Sequence, residues 1–570
     1  MLTGSEANSE TGPAGAVIGT LTIAAAIAFI VSAVALAVYR RAVARLMRTR
    51  SRPDNATAAP PLSDPSHRSA PVSDYLSRSN SGAAPPEALE TARARQRRLA
   101  LVYFGAGVSC CFVLTLAELF DTGMGSRLAF LRTFACNTWP VILTLHFLLG
   151  WNWYVRRRNE VIYACVLITL GWISHLYHPK FSFTRTGEVC LFINAPPTVL
   201  ALAFANRRLR GIGPTVFPLS VGLVAGVWTL IDICSSNREV VTWLSEIAGY
   251  VGVNTIRVGV VVIGLLATLP LGWLAVHWIT RRYRARLISD QSLLIDSVWL
   301  LFVVTHVVIA ATPVAGMSGQ GVYWAAGAFP AYLVAKAAGL RWLRRHAPVS
   351  TTGVSLLVLR AFALGKRAER VFDPVTLFWR YVGDVRLIGG PDLATSIVQP
   401  HSFLDFASGR LRRSFIDSPE TLESRMAELE VLPDPDGRFR INDFFCYDDM
   451  WRAGVTRLVG QSHVILADFR GVTIESRGCE YEIREVLNTM PVERIVILVD
   501  RTTDMNHLAG ILEDSWSSLQ PASPNIGCLH RAIPTVFYEA PERRAVSTAL
   551  DAVFAAAGAP SGSKSLRAAR

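Results

Sequence analysis

Charge is scarce in this chain: of 570 residues only 18% are charged, 51% are hydrophobic, and arginine far outnumbers lysine, as in a GC-rich bacterial genome. A soluble chain carries about 25% charged residues, so one water-soluble domain does not account for the whole length. Paired metal-binding cysteines are also missing. The nine cysteines, Cys110, Cys111, Cys136, Cys165, Cys190, Cys234, Cys446, Cys479 and Cys528, include no C-x-x-C, which argues against a zinc module or a disulfide framework. Six lie in apolar stretches, where a thiol acts as a small hydrophobe; the three in the C-terminal part fit a reducing compartment. No G-x-G-x-x-G or Walker loop follows any strand-like run, so Rossmann dinucleotide and P-loop readings lose their main support. No internal repeat relates the two halves, which removes the best pointer to a secondary transporter. Nor is there a basic water-exposed half for nucleic acid. Residues 1–350 hold 32 Lys+Arg against 16 Asp+Glu, and residues 351–570 hold 25 against 28, so the net +13 lies entirely in the apolar part.

That part contains nine runs approaching the roughly 20 apolar residues that a helix needs to cross about 30 Å of hydrocarbon. They fall at 14–39, 99–120, 134–155, 161–177, 189–205, 214–234, 256–279, 291–311 and 320–340. Pro196 and Pro197 interrupt the fifth, so the fourth and fifth could instead form one re-entrant pair, giving seven spans. Residues 1–13 are expected to lie outside, 40–98 to form a basic Pro/Ser/Ala-rich cytoplasmic linker, and 559–570 a disordered tail. Arginine marks cytoplasmic loops. It recurs at 40–98, 156–158, 207–210, 281–286 and 341–345 and is sparse in the alternate loops. The expectation is a multi-pass protein of the plasma or inner membrane with its N-terminus outside and residues 350–558 in the cytoplasm. Glu118, His146, His175, Asp232, His277, Asp296, His306 and Lys336 are ionisable residues within the spans. Most lie near span ends; His146 and His306 lie deeper, where a packed histidine is usually hydrogen-bonded structure.

The last 220 residues change pattern. Runs at 354–359, 384–388, 463–467, 494–499 and 534–538 read as buried strands separated by amphipathic stretches, the signature of a parallel sheet with helices on both faces. A helix near 541–557 closes the domain, and 403–442 reads as an irregular insertion. In such sheets ligands bind beyond the carboxyl ends of the strands. Those loops hold Arg360-Ala361-Phe362, Gly389-Gly390, Asp468-Phe469-Arg470-Gly471 and Asp500-Arg501.

The helix beginning Tyr447-Asp448-Asp449-Met450-Trp451, the strand 463–467 and then Cys479-Glu480-Tyr481-Glu482-Ile483 opening a helix resemble the TIR-like, flavodoxin-like domains of bacterial membrane-anchored proteins over residues 354–500. Cys479 to Ile483 matches that family's C-x-x-E-[LI] element; its usual opening with aspartate and serine is replaced by Leu359-Arg360-Ala361-Phe362, and no BB-loop motif is present. The resemblance implies NAD glycohydrolase chemistry in a signalling or defence effector, with Glu482 as the catalytic carboxylate and self-association through the domain. Arg360, Phe362, Gly389, Gly390, Asp468 and Trp451 would then be the nucleotide-binding set, with Tyr447 as a second stacking ring. NAD would be a substrate; no resident cofactor, metal or nucleic acid is implied. Two simpler readings stay open. Glu480, Glu482 and Glu485 can complement the helix macrodipole, and Asp448 or Asp449 can cap a helix near Met450. Cys479 has no histidine partner in sequence. At the level of the whole protein, a non-enzymatic membrane scaffold and a transporter or channel with a regulatory domain remain alternatives.

Overall fold

The computed structural model describes residues 12–48, 75–79, 86–122, 126–149, 153–177, 183–205, 212, 216, 230, 234, 237–311, 321–347, 353–360, 366–389, 400–447, 449–473, 477–528, 532–539 and 542–558. They divide into two compact units. One comprises 1–39, 98–347 and 398–409, the other 40–97, 348–397 and 410–570.

The first unit is helical. Its elements are α1 (Gly12–Arg48) and α2 (Glu87–Thr122), whose adjoining ends belong to the other unit, then α3 (Arg127–Asn137), α4 (Trp139–Leu149), α5 (Trp153–Tyr177), α6 (Phe183–Ala205), α7 (Arg238–Val251), α8 (Val253–Arg284), α9 (Asp290–Ala311) and α10 (Gly321–His346), with a short helix at Pro400–Ala407. Among the described residues four stretches are long and apolar enough to cross a membrane: Glu87–Phe120, Arg127–Leu149, Arg157–Tyr177 and Asp290–Val307. Nine were expected. The expected run 134–155 starts earlier, because Ser126 accepts a hydrogen bond from the Ala129 amide at 3.1 Å and sets the helix start at Arg127. It also stops earlier, since Trp153 begins α5 and Arg156 to Arg158 ride on that helix instead of forming a loop. The runs at 189–205 and 256–279 are helical but contain only shorter apolar stretches, and most of 214–234 lies outside the described residues. No re-entrant break occurs at Pro196-Pro197: α6 passes through both prolines, with Thr198 donating to the Asn194 carbonyl at 2.6 Å.

Two glycines let these helices approach closely. A β-carbon on Gly107 would stand 2.5 Å from the Trp299 ring, and one on Gly339 would stand 2.6 Å from Val102. Polar side chains are gathered inside. Lys336 pairs with Asp296, which also accepts from the Tyr332 hydroxyl at 2.9 Å. His306 lies 3.2 Å from Asn137 Oδ1 and 3.5 Å from Glu118, with its other ring nitrogen 2.7 Å from the Phe302 carbonyl. Cys136 and Cys190, read from the sequence as small hydrophobes in apolar stretches, are joined by a disulfide. The outside of this unit is apolar. Of the forty-one exposed large hydrophobic side chains among the described residues, thirty-eight belong to it, Trp172 and Leu176 (64% exposed each) and Tyr250 (92%) included.

The second unit is α/β. Eight strands form one all-parallel sheet: β1 (Leu76–Arg78), β2 (Leu356–Arg360), β3 (Val385–Gly389), β4 (Phe415–Ile416), β5 (Ile441–Cys446), β6 (Val464–Asp468), β7 (Ile495–Val499) and β8 (Ile533–Phe537), in the order β1-β8-β7-β6-β2-β3-β5-β4. The helices are α11 (Lys366–Trp379), α12 (Pro419–Ala427), α13 (Trp451–Gly460), α14 (Arg477–Thr489), α15 (Met505–Ser517) and α16 (Glu542–Gly558). Strands β6 and β7 are buried at every position, as parallel strands covered on both faces must be.

The five expected strands are present as β2, β3, β6, β7 and β8, and by themselves they stand in the order 2-1-3-4-5 of flavodoxin-like sheets. The sheet is wider than expected. The segment read as an irregular insertion supplies β4 and the first two residues of β5, and these two strands extend the edge beyond β3. Its Pro433-Asp434-Pro435-Asp436-Gly437 turn is held by Arg440, which is buried and bonds Asp434 at 2.9–3.0 Å and Glu430 at 2.9 Å. The linker gives β1, which pairs with β8 at the opposite edge, and also the ends of α1 and α2. Three residues of β1 were invisible as a strand because their sequence, Leu-Ser-Arg, has only one apolar position.

Candidate nucleotide site at the sheet's carboxyl edge

In a parallel sheet every strand ends at the same edge. The chain leaves β2 toward β3 on one side, whereas β6 continues to β7 on the other. The β2/β6 boundary is therefore the switch point where doubly wound sheets open a crevice. Arg360 and Asp468 are registered partners at the ends of these two strands. Gly389 ends β3 opposite Phe445 of β5, and Trp451 opens α13. The topology thus brings Arg360, Gly389, Trp451 and Asp468 to one edge of the sheet. Phe362 and Gly390 lie outside the described residues.

Asp468 is committed elsewhere. Its two carboxylate oxygens accept from Arg470 Nε and Nη2, each at 2.7 Å, and both residues are buried. The Arg470 guanidinium also lies over the Tyr538 ring, 4.6 Å from its centroid. Removing either partner would leave a lone buried charge, so the pair is a positioning element that fixes the loop after β6. Sequence reasoning missed Arg470 as Asp468's partner. The signal was present: residues two apart at a strand end share a side, and Asp468-Phe469-Arg470 has that spacing.

The helix after β6 is α14, and it carries Glu482. This side chain is 1% exposed. The reason is its phase, since Cys479 three residues before and Val486 four after are both in the core, and Glu482 shares their stripe. Among the described residues it is the one carboxylate with both oxygens buried and neither hydrogen-bonded. Burial pushes its pKa up to about 8. A surface carboxylate serving only the macrodipole would sit in solvent, as a burial-free Glu482 would; its sequence neighbour Glu480 is partly exposed.

Around it, Trp451 packs on Tyr481 with ring centroids 5.6 Å apart, and the Tyr481 hydroxyl lies 2.8 Å from Thr456 Oγ1, joining α13 to α14. Trp451 therefore has an aromatic neighbour in the protein already. Tyr447 packs on Phe415, and its hydroxyl donates to the Leu46 carbonyl at 3.1 Å, so it serves the fold and is not a free stacking ring. The expected cap from Asp448 or Asp449 is not made by Asp449: the N-cap of α13 is Met450, which has no side-chain cap bond, and Asp448 lies outside the described residues. Cys479 is buried, and its thiol pKa is pushed up by that burial and by Glu482 and Glu480, the opposite of what an attacking thiolate needs. No group of three or more potential metal ligands occurs among the described residues.

No protein-family model, curated protein or solved structure matches the chain.

Proposed function

We propose that the chain is a multi-pass membrane protein presenting a cytoplasmic nucleotide-binding α/β domain that cleaves the nicotinamide–ribose bond of NAD. The single observation that carries the enzymatic part is Glu482, a buried carboxylate with no hydrogen-bond partner among the described residues, in the helix that follows the switch-point strand. An uncompensated buried carboxyl is costly to keep in a core, and such groups cluster where chemistry needs them. As nicotinamide leaves, positive charge develops on the ribose, and a carboxylate held in a dry pocket stabilises it far more than one in water. The raised pKa keeps the empty site neutral near pH 7; the cationic nicotinamide-ribosyl group favours ionisation on binding.

The membrane part of the reading is supported by four apolar helical stretches of spanning length among the described residues and by the apolar exterior of the helical unit. The recurrence of arginine beside alternate apolar runs of the sequence supports a cytoplasmic α/β domain.

The test is nicotinamide release from NAD by the full-length protein in lipid nanodiscs. Glu482→Gln should lower turnover by about 10²–10³-fold, and kcat/KM of the wild type should rise with pH toward 8 as the free carboxyl ionises. Turnover equal in wild type and Glu482→Gln sinks the catalytic assignment, and the absence of both turnover and any NAD-induced thermal shift sinks the nucleotide site.

A further inference from the structure

The helical unit contains an elongated groove of about 520 Å³ among α3, α4, α5 and α6. Trp139, Tyr163 and Thr198 meet at the far end, whereas Gly171 and Gly187 lie at the opposite limits of the lined stretches of α5 and α6, and Arg132 lines the groove seven residues before Trp139. At 1.5 Å per residue the groove follows α6 for about 18 Å, from Gly187 to Val199, and α5 for about 12 Å, from Tyr163 to Gly171. Its walls are hydrocarbon. Three wall residues, Ile168, Leu191 and Val199, are 58%, 69% and 65% exposed, so the groove opens sideways onto the apolar exterior of the unit.

The polar groups at the far end are used by the protein. Trp139 Nε1 donates to Thr198 Oγ1 at 2.6 Å, and the Tyr163 hydroxyl donates to the Ala135 carbonyl at 3.1 Å. Of the residues lining the groove, Arg132 is the one that carries a formal charge. The shape and chemistry together ask for an occupant that is long, thin and apolar, with an anionic group at one end.

We propose that the groove holds one acyl chain of an anionic membrane phospholipid, with the phosphate on the Arg132 guanidinium. Arginine's planar fork suits phosphate oxygens. The sideways opening favours a bilayer lipid, because its chain can enter without leaving hydrocarbon. This site rests on the membrane reading given above.

The experiment uses full-length protein in nanodiscs containing phosphatidylglycerol and phosphatidylcholine, followed by native mass spectrometry after gentle delipidation. Wild type should retain one phosphatidylglycerol. Gly187→Trp should retain at least tenfold less, since a β-carbon there meets no atom within 4 Å and the indole can fill the groove without a clash at its root. Arg132→Gln should still retain a lipid but lose the preference for phosphatidylglycerol, and this outcome decides the matter if Gly187→Trp does not fold. Equal retention by wild type and Gly187→Trp, an unchanged headgroup preference in Arg132→Gln, or release of a free fatty acid in place of phospholipid would each overturn the proposal. Alkaline carbonate extraction separates the two readings: protein stripped from membranes fails the membrane assignment, whereas protein that stays embedded but retains no lipid fails only the groove.

Discussion

In the helical unit large apolar side chains face outward and polar ones gather inside; in the α/β unit the arrangement is reversed, with Val431, Leu432 and Ile526 the only exposed large hydrophobics among its described residues. This contrast supports the proposal that the two units face different solvents. Yet both pair their enclosed charges, the partly buried Asp296 with Lys336 in one and the buried Asp468 with Arg470 in the other. Glu482 is the exception, buried in the α/β core with no hydrogen bond among the described residues.

The strongest challenge to this comparison is to break the Asp468–Arg470 pair. Arg470→Met should destabilise the α/β unit by about 3–5 kcal/mol, because Asp468 is left charged and buried; adding Asp468→Leu should recover much of the loss. Chemical denaturation followed by a probe in the α/β unit measures it, and a loss below about 1 kcal/mol would mean that the pair is solvated.

Glu482 should show the opposite signature. Its folded pKa, about 8, is raised above the ordinary carboxyl value. Between those values the folded state binds the proton and the unfolded state does not. Stability from this group is therefore complete below the unfolded pKa and declines as pH rises to about 8, by about 1.4 kcal/mol per pH unit at the steepest. Glu482→Gln removes that slope. The variant should match wild type near pH 5 and melt at a higher temperature near pH 8, while losing activity. Parallel melting curves for the two proteins across pH 5–8 would show that Glu482 is solvated.

The smallest effect is expected in the helical unit. Lys336→Met strands Asp296 among apolar helices and should cost about 2–3 kcal/mol, reversed by Asp296→Asn in the same chain. Thermal unfolding in nanodiscs reads this, and no change in either variant would place the pair in water.

Much of the α/β fold was legible because β2, β6 and β7 are nearly continuous β-branched or leucine runs. The rest was hidden for identifiable reasons. The sequence of β5, Ile441-Asn442-Asp443-Phe444-Phe445-Cys446, interrupts its apolar run with polar residues, and β4 has only two residues. Glu482 was legible as a candidate from its motif, but its burial was not, since helical phase had to be combined with the packing of Cys479 and Val486. Asp468 was legible as a polar residue at a strand end; its partner required knowing that Arg470 folds back on it. In the helical unit hydropathy alone does not register the break at Thr138 between α3 and α4 or that α5 begins as early as Trp153.

Strand β1 has a consequence for biosynthesis. Leu76 leaves the ribosome long before Ile533, its partner in the sheet, so this edge must wait through the synthesis of nearly the whole chain. Until then Tyr75 and Leu76, both buried in the finished core, have no place to pack. A truncated product lacking residues before 80 would expose the free edge of β8, a ready template for pairing with another molecule. The first strand to be made is thus the one that closes the sheet last, and it turns completion of the carboxyl terminus into a checkpoint for the amino-terminal linker.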